Sequence, residues 1–540
     1  MGTLIHGGRR LELAAGKTIF DYADDLAVRV PTSCGRSGEC HECIVEIERG
    51  TAALTSPTEA EAFLRGNYRL ACQARVADAD AEVEFSVLRR QPRILTHAIH
   101  RPVTPEPLVE RRGGQVLLGG EPIGRYRGRI LGLAIDLGTT TVAMNLVDLE
   151  SGATLHTASF ENPQRFGGSD VMHRISYDSG PHRGELQKVM LAAINFEIGE
   201  MTRSLGISRH QIYEVAAVGN ATLRDLFFGL DVAPIGETPY RSTIETEFRE
   251  GRRATTALTV EAKALGLRIG GRGSVYGGPL IGSHVGADVA AGLLAVGMDE
   301  ATEPAMLVDV GTNTEVVVGQ PGRMLAASCP AGPAFEGGEI AHGMPGYPGA
   351  VESVEIRDGA VRTATIDGAE VQGICGSGLV DLLAELRRTG GMNELGVLSD
   401  GAMEFPFAPE RGMTLSRADI SALAQAKSAN FCGQYIVLRR YGLPLERIGK
   451  LSLAGGFANY IDVENAVRIG FLANLPIERI VKVGNAALEG ATILLLSVPM
   501  RRRIEALVAT IEHVELETTE DFFDIFVEGC QFKPMPDDFV

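Results

Sequence analysis

At 540 residues the chain is too long for one compact domain, and two to four domains are expected. Hydrophobic residues at 45% and charged residues at 22% fit large globular cores, while 65 glycines gathered in turns favour α/β architecture with backbone-lined ligand sites over disorder. A formal net charge of −18 excludes a general nucleic-acid binder, which needs a basic face, and otherwise reads as a solubilising surface.

The first unit spans residues 1–88. Its opening, MGTLIHGGRRLELAAGKTIF, lacks the layout of a signal peptide, and no run of roughly 18 apolar residues occurs, so a cytoplasmic protein outside the membrane is expected. Strand-like LIHGG and RLELA lead to a helix-like DYADDLAV and a cysteine loop. The strand IVEIERG and a closing strand, AEVEFSVL, with alternating apolar positions complete the unit. From Arg89 to Arg129 the chain is rich in proline and arginine without a sustained period, which reads as a linker (residues 89–129) with an extended portion. Such a segment either lets the first domain swing or straps the next one; the sequence leaves both open.

Residues 130–540 alternate β-runs with helical patterns. RILGLAIDLGTTTVAMNLVDLESG reads as two strands joined by a Gly-Thr turn, and AMLVDVGTNTEVVVGQPGRML repeats the design. Two similar lobes are expected, lobe I over about residues 130–300 plus 484–540 and lobe II over about 301–483.

Eight cysteines in so long a chain do not make a disulfide scaffold, and four of them cluster near the start. Cys34, Cys40, Cys43 and Cys72 read C-x5-C-x2-C-x28-C. A Gly-rich loop carrying Gly35 and Gly38 lets three thiolates curl around a 2Fe–2S cluster while Cys72 closes the site from a later element. Zinc sites usually show paired C-x2-C knuckles, and only one such pair is present; a Rieske centre needs two histidines, and His41 has no second beside it. Cys329, Cys375, Cys432 and Cys530 are scattered and read as packed core thiols, with Cys375 between glycines the least typical.

Each D-x-G-T turn carries its own chemistry. A tight hairpin of Gly and Thr presents N–H and hydroxyl donors to phosphate oxygens, and an Asp at a strand end can hold Mg²⁺ directly or through water. Two such hairpins would clamp the phosphates and position water at the γ-phosphate. Small residues such as Ala287, Ala290, Ala291 and Gly292 permit a close helix crossing suited to a hinge.

Residues 3–88 resemble ferredoxins of the plant and adrenodoxin type, the five-residue first spacing being that of the adrenodoxin side. That resemblance implies a β-grasp domain. The remainder is similar to the ATPase superfamily of actin, sugar and acetate kinases and heat-shock chaperones. AIDLGTTTVAM, with Asp136, Gly138, Thr139, Thr140 and Thr141, resembles the first phosphate motif. VDVGTNTEVVVG, with Asp309, Gly311, Thr312, Asn313 and Glu315, resembles the second. SLAGGFAN, with Gly455, Gly456 and Phe457, resembles the adenosine motif, and residues 286–297 and 483–495 resemble the two connecting helices. The implied fold is a multidomain α/β chain ending in a two-lobed, actin-like ATPase with ribonuclease-H-like lobes. Asp136 and Asp309 would organise Mg²⁺ and the attacking water, and Thr139, Thr140, Thr312 and Asn313 would contact the phosphates of ATP. Asn313 stands where the chaperones commonly carry Gly.

The fusion, with NPQRFGGSDVMHRISY, VGNATLRDLFFG, CPAGPAFEGGEIAHGM, GICGSGLVDLLAEL and AQAKSANFCGQYIVLRRYG, resembles the reductive activators of corrinoid proteins over nearly the whole chain. It implies one-electron reduction of Co(II) to Co(I) in the corrinoid protein of a methyltransferase system, fed by an upstream electron donor and assisted by ATP hydrolysis; a homodimer is left open. Two alternatives are an ATP-driven donor to another low-potential acceptor and a redox-sensing binding protein without net catalysis. Dehydratase activators place paired cysteines within the ATPase domain, and no such pair follows Cys72. Glu336, in AGPAFEGG, either lines the nucleotide cleft or partner face or sits in a plain turn. Asn220, in VGNAT, either reaches that cleft or caps a strand end. The tail TTEDFFDIFVEGCQF reads as an amphipathic packing element.

Overall fold

The computed structural model of the chain describes residues 2–88, 99–456 and 458–537. The chain divides into two compact units, Met1–Gln91 with Pro107–Ala254 and Leu258–Gly277, and Pro92–Glu106 with Thr255–Ala257 and Gly278–Val540.

The first unit begins with five strands, β1 (Thr3–His6), β2 (Arg9–Glu12), β3 (Ile44–Arg49), β4 (Tyr68–Leu70) and β5 (Glu82–Val87), in the order β2-β1-β5-β3-β4. β1 and β5 run parallel and the other pairs antiparallel. The alternation in the closing strand is real, with Val83 and Phe85 buried. Helix α1 (Ile19–Asp25) starts at a capping box between Thr18 and Asp21. Between α1 and β3 the chain enters the left-handed region at Gly35, Arg36, Gly38 and His41, which curls the loop that carries three of the cysteines.

The segment read as a linker holds more structure than expected. Residues 89–98 lie outside the described residues. Residues 99–106 are a strap: Ile99 N–H donates to Val483 O at 2.9 Å, Glu106 N–H to Leu496 O at 2.8 Å, and Arg101 binds Leu294 O and pairs with Asp299 at 2.5 Å. Beyond it, β6 (Val109–Arg112), β7 (Gln115–Leu118) and β8 (Glu121–Arg125) form an antiparallel meander. Strands this short leave no detectable period in the sequence.

The first unit ends in a six-stranded sheet of β9 (Leu131–Leu137), β10 (Thr141–Asp148), β11 (Thr154–Glu161), β12 (Ile212–Gly219), β13 (Leu258–Glu261) and β14 (Ser274–Gly277), ordered β11-β10-β9-β12-β14-β13. β12 is buried at every position, as a central strand covered on both faces must be. Helices α2 (Val171–Asp178), α3 (Glu185–Ser204), α4 (Ala221–Phe227), α5 (Thr243–Arg249) and α6 (Ala262–Leu265) belong to this part.

The second unit repeats the plan. Helix α7 (Ala287–Ala295) precedes β15 (Ala305–Val310), β16 (Thr314–Gln320) and β17 (Arg323–Cys329). A small sheet of β18 (Ala350–Arg357), β19 (Ala360–Thr365) and β20 (Gly373–Ile374) and a hairpin of β21 (Glu404–Ala408) and β22 (Met413–Ser416) follow, with α8 (Gly376–Thr389) between them and α9 (Arg417–Tyr441) after. The main sheet is completed by β23 (Lys450–Ala454), β24 (Ile480–Gly484) and β25 (Glu512–His513), in the order β24-β23-β15-β16-β17-β25. Numbered from its own first strand, one main sheet runs 3-2-1-4-6-5 and the other 6-3-2-1-4-5; in both, strands 1 to 3 are antiparallel, and strand 4 and its outer neighbour (strand 6 in the first sheet, strand 5 in the second) run parallel to strand 1. This is the duplicated, actin-like α/β plan that the two D-x-G-T strings predict. Helix α10 (Val463–Arg468) leads towards α11 (Ala486–Leu496), which crosses α7 closely. A Cβ on Gly490 would lie 2.0 Å from Ala291 O, so the small residues set the approach of the two helices. After α12 (Val498–Val508), α13 (Phe522–Gly529) packs on α9 as the tail element, while Phe523 remains 74% exposed. Among the described residues no helix is long and apolar enough to cross a membrane.

Candidate functional site

The four clustered thiols come as two pairs. Cys43 and Cys72 are buried, with their sulfurs 3.4 Å apart. The hydrogen bond to Cys72, and then burial, push the Cys43 thiol well up, and the same bond brings Cys72 down to about 7. Gln73 Nε2 adds a donor to the Cys72 sulfur at 3.3 Å. Cys34 and Cys40 are half-buried. Burial opposes ionisation of Cys34, yet bonds from the Ser37 hydroxyl, from Cys40 and from the backbone of Gly38 bring it to about 5. Among the described residues no three His, Cys, Asp or Glu side chains converge as they would on one ion. Two thiol pairs, three cysteines on one curled loop and the fourth just after β4, are a donor set that suits a two-iron cluster.

The first hairpin, residues 138–141 between β9 and β10, is held by its carbonyls. Gly138 O accepts from Asn162 Nδ2 at 2.8 Å, Thr139 O from Arg174 Nη2 at 2.8 Å, and Thr140 O from Asn162 N–H at 2.8 Å. Asn220 Nδ2 reaches Thr139 Oγ1 at 3.2 Å while its Oδ1 caps α4 at Leu223 N–H, just past the end of β12. A Cβ at Gly138 would stand 2.4 Å from Thr141 O, which makes glycine obligatory there. With the carbonyls of Gly138 and Thr139 held to the scaffold, planar trans peptides turn the N–H groups of Thr139 and Thr140 the opposite way, as an anion site requires. Asp136 lies at the end of β9, register partner of Ala143 on β10. Asn162 and Arg174, both fully buried, are the residues that motif reading did not single out. Their only sequence signal is the string NPQRFGGSDVMHRISY that contains them.

The second hairpin, residues 311–313 between β15 and β16, is built differently. Gly311 N–H bonds Asn313 O within the turn, Thr312 O accepts from Gly332 N–H at 3.1 Å, and Thr312 Oγ1 donates to Glu336 Oε2 at 2.7 Å. The AGPAFEGG loop thus rests on this hairpin. Asp309 and Glu315 are register partners, and Ser328 Oγ donates to Glu315 Oε1 at 3.0 Å. Burial, followed by the charges of Asp288 and Asp309, holds the Glu315 carboxyl well above its ordinary range, and burial lifts Asp288, in the first turn of α7, to about 6. Glu315 and Asp288 thus both resist ionisation, and a divalent cation beside them would favour their charged forms.

At the adenosine motif Gly455 has φ +110° and a Cβ there would lie 2.0 Å from Val310 O, while Gly456 has nothing within 4 Å. Phe457 lies outside the described residues. Cys329, Cys375 and Cys432 are buried core thiols as expected, and Cys530 is half-buried.

The cysteine loop also contacts the first six-stranded part of its own unit. His41, between Cys40 and Cys43, lies with Nδ1 2.7 Å from Glu185 Oε2 on α3 and stacks on Phe63 at 4.1 Å. Tyr177 on α2 donates its hydroxyl to Phe63 O at 2.6 Å.

Three family descriptions match the chain in order: a 2Fe-2S iron-sulfur cluster binding domain over residues 4–77, a RACo middle region over 131–301, and the C-terminal domain of RACo, the ASKHA domain, over 303–539. The chain is 30% identical over 429 residues to the corrinoid activation enzyme RamQ of Eubacterium limosum, covering 75% of this chain and 70% of that protein. It is 24% identical over 427 residues to a Co(II) methylated amine-specific corrinoid protein reductase of Methanosarcina barkeri, covering 73% and 76%. The solved structure of a reductive activator for corrinoid, iron-sulfur protein matches with a TM-score of 0.71 at 27% identity, over 99% of this chain and 98% of that one.

Proposed function

This chain belongs to the family of reductive activators of corrinoid proteins, and from that premise we propose that it returns an inactive Co(II) corrinoid protein of a methyltransferase system to Co(I) at the expense of ATP. Cys34, Cys40, Cys43 and Cys72 would hold the 2Fe–2S cluster, which when bound supplies one electron at low potential and is refilled by an upstream donor. Asp136 and Asp309 would orient Mg²⁺-bound water, with Glu315 beside Asp309 as its register partner. The N–H groups of Thr139 and Thr140 would bind phosphate oxygens, joined by Thr312 and Asn313; Mg²⁺ would neutralise phosphate charge.

The energetics explain why a nucleotide is needed. Moving one electron uphill by 100 mV costs about 2.3 kcal/mol, so a gap on the order of 200 to 300 mV would cost about 5 to 7 kcal/mol. ATP offsets such a gap only by acting on two states that it binds unequally, because equal affinity shifts nothing.

The observation that carries this reading is the pairing, in one chain, of two thiol pairs on a curled loop with a hairpin whose carbonyls are tied back and whose N–H groups face outward. It is tested by mixing the reduced protein anaerobically with a Co(II) corrinoid protein, with and without ATP, and following Co(I) absorbance. Co(I) should form with ATP and fail to accumulate without it. Equal Co(I) formation in both arms would remove the nucleotide's role. ATP turnover that no Co(II) corrinoid protein stimulates would favour the redox-sensing alternative.

A further inference from the structure

Helix α2 touches the phosphate hairpin and the cluster domain within one turn of itself. Arg174 is fully buried; its Nη2 donates to Thr139 O at 2.8 Å and its Nε to Gly168 O at 3.1 Å, while Nη1 finds no acceptor among the described residues. Three residues on, Tyr177 donates to Phe63 O, and the rings of Phe63, Phe166 and Tyr177 meet edge-on at 5.5 and 5.6 Å. Phe63 in turn stacks on His41, inside the ligand loop. Every one of these residues falls in the same compact unit.

Resting on the functional reading above, we propose that α2 couples the nucleotide to the cluster: Arg174 and Tyr177 are positioning residues through which ATP at the first hairpin releases the cluster domain from its seat on α2 and α3. Phosphate oxygens draw the Thr139 and Thr140 N–H groups outward, and the carbonyl held by Arg174 moves with them. A short, close-packed helix answers as a rigid body, so a displacement at Arg174 reaches Tyr177 and the Phe63 carbonyl. The spare Nη1 donor marks a contact that is incompletely satisfied in the docked arrangement and therefore able to exchange partners. Around the aromatic centre the seat is held by polar contacts, His41 with Glu185, Arg29 with Glu200 at 2.5 Å, and Arg65 over the Tyr177 ring at 4.7 Å. Rim contacts of this kind are weak, which leaves docking an equilibrium that a ligand can tip.

Hydrogen–deuterium exchange on the full, cluster-reconstituted chain with and without Mg²⁺-ATP tests this. Saturating ATP should raise exchange at least threefold in peptides covering residues 38–43, 60–66 and 171–178. Tyr177→Phe, which removes only the hydroxyl, should lose that response while ATP affinity by calorimetry and the cluster absorbance stay at parental values. Glu185→Gln, which weakens the seat from α3, should raise exchange of the ligand loop equally with and without ATP and keep the threefold ratio. Unchanged exchange in the ATP-saturated parent, or a full response in Tyr177→Phe, overturns the coupling. A parent that binds no ATP or carries no cluster refutes the functional reading itself, and calorimetry and absorbance register that separately.

Discussion

The two D-x-G-T hairpins come from the same strand plan and from nearly the same string, yet they are stabilised in opposite ways. The first is fixed from outside: Asn162, Arg174 and Asn220, brought from up to 81 residues away, bind its carbonyls and one hydroxyl. The second is fixed mainly by its own turn and by Glu336, and lies beside the acids Asp288, Asp309 and Glu315, where burial, and then the charges of the other two, hold the Glu315 carboxyl above its ordinary range. One hairpin turns backbone donors outward and is tied to neighbouring elements; the other sits beside a group of acids. Under the proposed function the first would take an anion and the second a cation.

The comparison is bounded by a variant outside both hairpins. Cys40→Ser should abolish the 2Fe–2S absorbance and all electron delivery while ATP affinity stays within about twofold; a retained spectrum would show that the ligand set is wrong. Within the acid group, Asp309→Asn should lower ATP turnover by about 10²- to 10³-fold, the scale of losing a charge-stabilising group. Glu315→Gln should cost less than about 10-fold, because burial and the neighbouring acids already disfavour the charged form of that carboxyl. Steady-state turnover separates the two, and equal losses would erase the distinction between Asp309 and its neighbour. On the other side, Asn162→Ala leaves the Gly138 carbonyl without its partner, at about 1 to 3 kcal/mol, and should weaken ATP binding by about 10-fold or more in calorimetry. Thr312→Val, removing one hydroxyl bond to Glu336, should weaken it by less than about 5-fold.

The smallest effect is on stability. Burial lifts Asp288 from 3.8 to about 6, so the folded chain keeps a proton that the unfolded chain releases between those values. Stability of the cation-free protein should therefore decline as pH rises through that window and level off above it. Thermal midpoints of Asp288→Asn should lack this component; a midpoint that rises equally in both proteins would contradict the burial of this acid.

Much of this was legible in the sequence because it is local. The cysteine spacing marks the curled loop between α1 and β3, and the two D-x-G-T strings mark hairpins that the sheets do form at residues 138–141 and 311–313. The runs of Ala and Gly in residues 286–297 and 483–495 anticipate the crossing of α7 and α11. What was not legible is carried over long separations. Arg174 meets Thr139 from 35 residues away and Glu185 meets His41 from 144, and no local period encodes such pairs. The meander at residues 109–125 escaped for a different reason: its strands are four or five residues long, and Gly113 and Gly120, both at positive φ, shape its two turns without an apolar pattern to announce them.

The central claim is that sulfur-bound iron and the phosphate clamp act as one machine, and Asp136→Asn tests it most directly. With its cluster reconstituted and reduced, this variant should form Co(I) from a Co(II) corrinoid protein in the presence of ATP at least about 100-fold more slowly than the parent. Co(I) formation at the parental rate, in a variant shown to have lost ATP turnover, would contradict the claim.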